Sequence, residues 1–241
     1  MKADHRHQLK QNEFAIRVAK ATELLATHRD RIVIGTVAVI GIVIAISVYS
    51  WWSGRAAAQA EALLAAAMQT YDAPIVPAPT VPGATQQAGT YPTEQARSEA
   101  ALTAFQNVIA QYPSTDAATA ARYHHAASLA AVGRFAEAEK GYQATIDAAG
   151  DSLFGATAKL GQAEALIAAN EFDRGLKVLE DLAANRDGIL PVDGVLMQLA
   201  RGYQKAGKPA DARTAFKRVV DEFPDSLYVP QARTHFQNLP S

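Results

Sequence analysis

Residues 133–138 read GRFAEA, and related hexapeptides occur at residues 170–175 (NEFDRG) and 207–212 (GKPADA). Each begins 37 residues after the one before it, because 133, 170 and 207 are equally spaced. A longer match spans three such periods: residues 101–105 (ALTAF) resemble residues 212–216 (ARTAF) at an offset of 111. Self-similarity at a fixed period of this size is typical of repeat proteins, which stack one supersecondary unit on the next.

The repeat resembles the tetratricopeptide repeat. That motif places small and apolar residues on a first helix, Gly and an aromatic residue at the turn, and a further aromatic residue and Pro on or after a second helix. The residues that match are Ala126, Leu129, Gly133, Phe135, Ala138 and Tyr142, then Ala163, Leu166, Phe172, Gly175 and Leu179, then Ala200, Tyr203, Gly207, Ala212, Phe216 and Pro224. Asn170 and Pro209 depart from the usual Gly and aromatic residue. The resemblance implies an α-solenoid, in which small residues let paired helices approach closely.

Composition agrees with an all-α fold. The chain of 241 residues is 49% hydrophobic, and alanine, the strongest helix former, is its most frequent residue. The formal net charge of -1 disfavours a general nucleic-acid binder. The absence of cysteine excludes disulfides, thiolate metal sites, a cysteine nucleophile and a lipoprotein anchor.

Residues Ile32–Trp52 (IVIGTVAVIGIVIAISVYSWW) contain no charged side chain, and a helix needs about 20 apolar residues to cross a membrane. Residues 1–31 carry seven basic and four acidic groups, a net charge of +3, whereas the remainder of the chain has a net charge of -4. The positive-inside rule therefore predicts a cytoplasmic N-terminus. A cleaved signal peptide is the alternative, disfavoured because both the charged leader and the apolar stretch exceed the usual lengths.

The fold class predicted is all-α, with a single N-terminal transmembrane helix followed by a tetratricopeptide-repeat-like α-solenoid. Five segments follow: a cytoplasmic leader (1–31), with a short amphipathic helix from Glu13, the transmembrane helix (32–52), a juxtamembrane helix (53–71), a Pro-rich loop (72–93) and the repeat domain (94–241). The unit around residues 101–113 needs a first helix, which residues 56–71 can supply. Residues 227–239 resemble a terminal capping helix.

The sequence shows no convincing catalytic or metal-binding pattern. His124 and His125 adjoin on one helix and point about 100° apart, a poor geometry for one metal ion. No nucleophile elbow and no phosphate-binding glycine loop are present. Carboxylates such as Glu137, Glu139 and Asp173 have basic neighbours, which favours a solvated helix face. We therefore expect no enzyme activity and no cofactor; an enzyme with an unrecognised site is the less favoured alternative.

The repeat register instead predicts a protein-binding groove lined by first-helix residues. Its candidate residues are Tyr123, Glu164, Met197, Arg201 and Lys205, with Ala127, Leu160, Ile167 and Gln204 beside them. Tyr, Met and Arg are common in protein interfaces. The alternative is that some of these side chains pack inside the superhelix or contact the Pro-rich loop.

The order of leader, membrane helix and repeat domain resembles the YfgM-like family, ancillary subunits of the bacterial SecYEG translocon. The leader residues 8–14 (QLKQNEF) and the residues Thr27, His28 and Arg29 also resemble this family. The resemblance implies a single-pass inner-membrane protein with a periplasmic scaffold domain, whose partners are translocon subunits, periplasmic chaperones or emerging chains. Residues 105–113 and 216–224 also resemble units of BamD-like and CpoB-like proteins, which implies an envelope-assembly or cell-division scaffold as the alternative. The sequence leaves the oligomeric state open.

Overall fold

A computed structural model describes residues 29–80, 83 and 85–240, and this part of the chain holds nine α-helices and no β-strand. The helices are α1 Arg29–Tyr71, α2 Glu94–Gln111, α3 Asp116–Ala131, α4 Phe135–Ala149, α5 Leu153–Ala168, α6 Phe172–Ala184, α7 Val192–Lys205, α8 Pro209–Glu222 and α9 Val229–Asn238. The chain divides into two compact units, Met1–Arg55 and Ala56–Ser241. The all-α prediction is confirmed.

The described part of the first unit is the apolar portion of α1. Its large apolar side chains are exposed, with values from 52% at Val33 to 69% at Ile34. Arg55 lies over the ring of Trp51, 4.1 Å from its centroid. Length, composition and exposure make this helix a candidate membrane span. The amphipathic helix expected in the leader, from Glu13 to Leu25, lies outside the described residues.

The second unit begins with the C-terminal portion of α1, residues 56–71, which packs against α2. Ala60 and Ala67 are fully buried beside Phe105 and Val108. The hydroxyl of Tyr112 donates a hydrogen bond of 2.9 Å to Oε1 of Gln59. Residues 56–71 thus lie where a first helix would pack against the half-unit around residue 105.

Within each complete unit, a residue with positive φ follows the end of the first helix. Gly133, Asn170 and Gly207 have φ values of 78°, 64° and 70°, and they are spaced 37 residues apart. The next residue donates its backbone N–H to the carbonyl five residues before it, for example Glu171 N to Leu166 O at 2.8 Å. This is the usual left-handed helix ending, which Asn adopts more readily than other residues with a Cβ. The replacement of Gly by Asn170 therefore keeps the turn.

The second departure from the repeat pattern also has a physical explanation. Pro209 occupies the first turn of α8, where its missing N–H costs no helical hydrogen bond. Three earlier helices begin at side-chain caps: the hydroxyls of Thr93, Thr115 and Ser152 accept hydrogen bonds from Ala96 N, Ala118 N and Gly155 N. Caps and left-handed turns together fix where these helices begin and end.

The two ends of the Pro-rich segment between α1 and α2 are joined by backbone hydrogen bonds. Tyr91 N donates to Pro74 O at 3.1 Å, and Val76 N donates to Tyr91 O at 2.9 Å, which makes a parallel β-bridge. Gln86 Nε2 donates to Val76 O at 2.9 Å. Arg97 on α2 donates to Ala73 O at 3.4 Å. Backbone pairing of the two ends holds this insertion beside α2.

Candidate protein-binding groove

The first helices of the repeats lie beside one another, because α3 contacts α5 and α5 contacts α7. A hollow of about 440 Å³ lies between α5 and α7, with one wall from α4. Its lining residues are Ala130, Phe135, Tyr142, Gly161, Glu164, Ala165, Ile167, Ala168, Leu179, Gln198, Arg201, Gly202 and Lys205. We call this hollow the groove.

Equivalent positions of two consecutive units build the groove. The α5 positions 161, 164, 165 and 168 correspond, 37 residues later, to the α7 positions 198, 201, 202 and 205, and all eight line it. On each helix the spacing i, i+3, i+4, i+7 places these residues on one face. Glu164 therefore occupies the position that Arg201 occupies in the next unit. The groove joins an acidic position of one repeat to a basic position of the following one.

Tyr142 and Gly161 form the part of the groove where α4 meets α5. Tyr142 is buried, and a Cβ at position 161 would lie 2.7 Å from its ring atoms Cε1 and Cζ. Real Cβ atoms essentially never approach this closely. Glycine at position 161 is therefore required for the ring to pack against the helix.

Three charged residues face the groove. Arg201 donates a hydrogen bond of 3.2 Å from Nη2 to Oε1 of Gln231. Within the described residues, Glu164 and Lys205 form no hydrogen bond or ion pair. Desolvation by the groove walls raises the pKa of Glu164, and the nearby Lys205 and Arg201 act in the opposite direction. The groove thus presents one carboxylate and two cations whose hydrogen-bonding capacity is largely unused.

Aromatic side chains continue from the groove toward the N-terminal repeats. The ring of Tyr123 lies 5.9 Å from that of Tyr142 and 6.4 Å from that of Phe154, centroid to centroid. Desolvation raises the pKa of the Tyr123 hydroxyl, and Glu164 and Tyr71 raise it further. Tyr123 is half-buried in this aromatic cluster and does not line the groove itself.

The structure separates Met197 from the other candidate residues. Met197 is 1% exposed and packs in the core with Leu199 and Val195, so its side chain is not available to a ligand. Its neighbour Gln198 lines the groove instead, since one residue along a helix turns the side chain by about 100°. Leu160 and Gln204 are half-buried beside the groove, and Ile167 forms part of its wall.

Gln198, Gly161 and Gly202 line the groove but are not among the residues that the sequence predicts. Gln198 shares a helix face with Arg201 and Lys205, so the face pattern of α7 contained the signal. Gly202 is needed for packing, because a Cβ there would lie 2.9 Å from Cδ1 of Ile167 and 3.0 Å from Cδ2 of Leu176. Contacts of this kind are visible only once the neighbouring helix is in place.

The carboxylates outside the groove that the sequence singles out have partners. Glu137 accepts two hydrogen bonds from Arg134, at 2.7 Å to Oε1 and 2.5 Å to Oε2. Glu139 pairs with Arg174. Asp173 pairs with Lys208 at 3.1 Å. The last two pairs join successive repeats, and exposed ion pairs of this kind contribute little stability each.

The fold defines a helical-repeat protein, a class that generally mediates protein–protein interaction. The chain belongs to the tetratricopeptide repeat-like domain family, whose model matches residues 25–239. A comparison with curated proteins finds no significant match.

Several solved structures are similar to part of this chain. A kinesin light chain from Podosopora anserina with nearly identical TPR-like repeats is 16% identical, with a TM-score of 0.51, over 58% of this chain and 76% of that one. The MamA RS-1 ArsTM double mutant is 17% identical over 58% of this chain and 82% of its own, with a TM-score of 0.43. A thermophilic TPR protein from Thermus thermophilus is 15% identical over 58% of this chain and 91% of its own, with a TM-score of 0.32.

Proposed function

We propose that this protein is a membrane-anchored scaffold that binds segments of other proteins in the groove between α5 and α7. The observation that carries the proposal is the meeting of Glu164, Arg201 and Lys205 around an apolar hollow. Their unused donors and acceptors suit the backbone and polar side chains of a peptide, while the half-buried Phe135 offers apolar contact.

We further propose that the groove lies in the periplasm and that its partners belong to the Sec translocon and its periplasmic chaperones. The charge asymmetry about the apolar segment supports this orientation, because the leader is basic and the repeat domain is acidic. The resemblance of the leader to YfgM-like proteins supports the choice of partners. Anchoring at the membrane raises the effective concentration of the groove near emerging chains, so individual contacts can be weak.

The test is crosslinking in intact membranes followed by identification of the adducts. The groove variant Arg201→Ala with Lys205→Ala is compared with the control variant Lys177→Ala with Lys217→Ala. The control removes the same charge from α6 and α8, where each lysine pairs with an Asp four residues later. We expect translocon or chaperone adducts from the parent and the control, and a several-fold loss from the groove variant.

Two results would contradict the proposal in different ways. Equal adduct yields from all three proteins would show that the groove does not bind. If the adducts are envelope-assembly or cell-division proteins, and their yield falls in the groove variant, the groove remains the binding site. The proposed partners are then wrong.

A further inference from the structure

Exposed apolar residues recur at the turns between successive repeats. Leu153, Leu190 and Leu227 are 37 residues apart and therefore occupy equivalent positions of three units. Leu153 is 58% exposed and Leu227 is 96% exposed, whereas Leu190 is half-buried beside Ile189, which is 55% exposed. We call the surface formed by residues 150–154, 185–191 and 224–228 the junction edge. It is distinct from the groove, which shares none of these residues.

Two hollows flank the central turn of the junction edge. One of about 550 Å³ lies between residues 186–193 and 222–226, and its apolar walls include Leu190, Val192 and Phe223. The other, of about 190 Å³, lies between the same turn and α5, with Leu182 and Ala156 in its wall. Ile189 and Leu190 line both hollows. A ligand that crosses this turn can place one apolar side chain on each side of it.

The junction edge is acidic. Asp151, Asp187 and Asp225 are exposed, and within the described residues they form no hydrogen bond or ion pair. Of the other charged residues that line the hollows, Glu222 pairs with Arg186 at 2.5 Å, and Asp193 accepts a hydrogen bond of 2.6 Å from Ser226. Lys159 also lines the smaller hollow. The lining residues thus comprise five acidic and two basic groups.

We propose that the junction edge binds an extended, basic protein segment that carries alternating apolar and Lys or Arg side chains. Apolar side chains enter the hollows on either side of Ile189, and the cations meet Asp151, Asp187 and Asp225. An extended strand presents alternate residues to opposite sides, which suits a surface with apolar hollows and an acidic rim. Complementary charge selects such a partner and steers its approach.

The same charges argue against two other occupants. Anionic lipid headgroups would be repelled by the three unpaired carboxylates, although exposed Leu and Ile side chains alone would suit a membrane surface. A second copy of this edge would bring like charges together, because a two-fold contact places the same patch on both sides.

The test is the binding of a labelled peptide of about ten alternating Leu and Lys residues to the full chain in zwitterionic nanodiscs, followed by fluorescence anisotropy. A matched peptide of Leu and Glu, and empty nanodiscs, are the controls. We expect binding of the Leu–Lys peptide only, and weaker binding at high salt. The charge-reversal variant Asp151→Lys, Asp187→Lys, Asp225→Lys is expected to weaken it about tenfold or more.

Further variants locate the peptide. Ile189→Ser with Leu227→Ser should also weaken binding, and both side chains are exposed enough for the fold to tolerate the change. Glu164→Gln tests the groove as the alternative site, because a peptide held in the groove would lose affinity on this change and not on the charge reversal. The proposal is overturned if the charge reversal has no effect, if the Leu–Glu peptide binds equally, or if only Glu164→Gln weakens binding. Anionic vesicles that bind the parent better than neutral vesicles, through Ile189 and Leu227, would replace the protein segment by lipid.

Discussion

The imidazole of His124 stacks on the ring of Phe105, with centroids 5.4 Å apart and planes inclined by 18°. The same relationship recurs 111 residues later, where His235 stacks on Phe216 at 4.8 Å and 10°. In both places a second-helix phenylalanine, 0% exposed, meets a histidine of the helix that follows it. Three repeat periods thus preserve a pair of contacting rings as well as a residue type.

Truncation of either phenylalanine should strongly destabilise the repeat domain. Phe105→Ala and Phe216→Ala each remove a fully buried ring and leave a cavity, so we expect a loss of about 3–5 kcal/mol in the free energy of unfolding. Urea unfolding followed by circular dichroism measures it. Phe154→Ala, at a ring that is 41% exposed, is the control and should cost less than half as much. Equal losses at all three positions would contradict the packing described here.

The stability of the repeat domain should fall as the pH drops from about 7 to about 5. Burial lowers the pKa of His124, against the opposing effect of Asp72, and burial together with Arg134 lowers that of His125. Below the unfolded histidine pKa of about 6.5, the unfolded chain therefore binds more protons than the folded chain. The free energy of unfolding decreases as the pH falls through this range. The unfolding temperature at each pH measures the effect.

The variant His124→Phe isolates the contribution of this residue. It keeps a ring that can stack on Phe105 and removes the titrating group, so its loss of unfolding temperature between the two pH values should be smaller than that of the parent. Phe105→Leu serves as the control, because it weakens the packing without removing a titrating group. A parent and a His124→Phe variant with the same pH dependence would refute the assignment.

Gly161→Ala should destabilise the protein by about 1–3 kcal/mol, because the new Cβ overlaps the ring of Tyr142. The double variant with Tyr142→Leu should lose less stability than the sum of the two single changes, because leucine leaves room for the new Cβ. Gly194→Ala is the matched control: its Cβ would meet Tyr228 at an ordinary 3.7 Å. Additive costs, or a control as costly as Gly161→Ala, would contradict the close contact.

Residues 56–71 should behave as part of the repeat domain. Ala67 is 1% exposed against α2, so Ala67→Leu should overpack this contact and cost about 1–3 kcal/mol. The exposed neighbour Ala66 offers the same substitution as a control, with an expected change within about 0.5 kcal/mol. Chemical unfolding measures both changes. If the two leucine variants are equally stable, residues 56–71 are not part of the packed repeat domain.

Much of the fold could be predicted because the repeat pattern is a packing pattern. Signature residues such as Ala126, Ala138 and Tyr142 are buried where two helices meet. The turn at Asn170 needed only a residue that tolerates positive φ. The β-bridge between Ile75 and Tyr91 could not be predicted, since its partners are far apart in sequence and carry no strand pattern.

The sequence predicts which helix face carries the candidate site, but not which side chains at the edge of that face are exposed. Glu164, Arg201 and Lys205 meet in one groove, as their equivalent repeat positions require. Met197 lies in the core because the neighbouring helices pack over the edge of the α7 face on which it stands. That choice depends on packing between helices, which the spacing within one helix does not contain.

We propose above all that the groove between α5 and α7 contacts partner proteins. The most direct measurement places a photoreactive phenylalanine derivative in place of Gln198, inside the groove, and in a separate protein in place of the exposed Lys217 on α8. After irradiation of intact membranes, we predict discrete protein adducts from position 198 and none of the same mass from position 217. Adducts of equal yield from both positions, or from position 217 alone, would contradict the account.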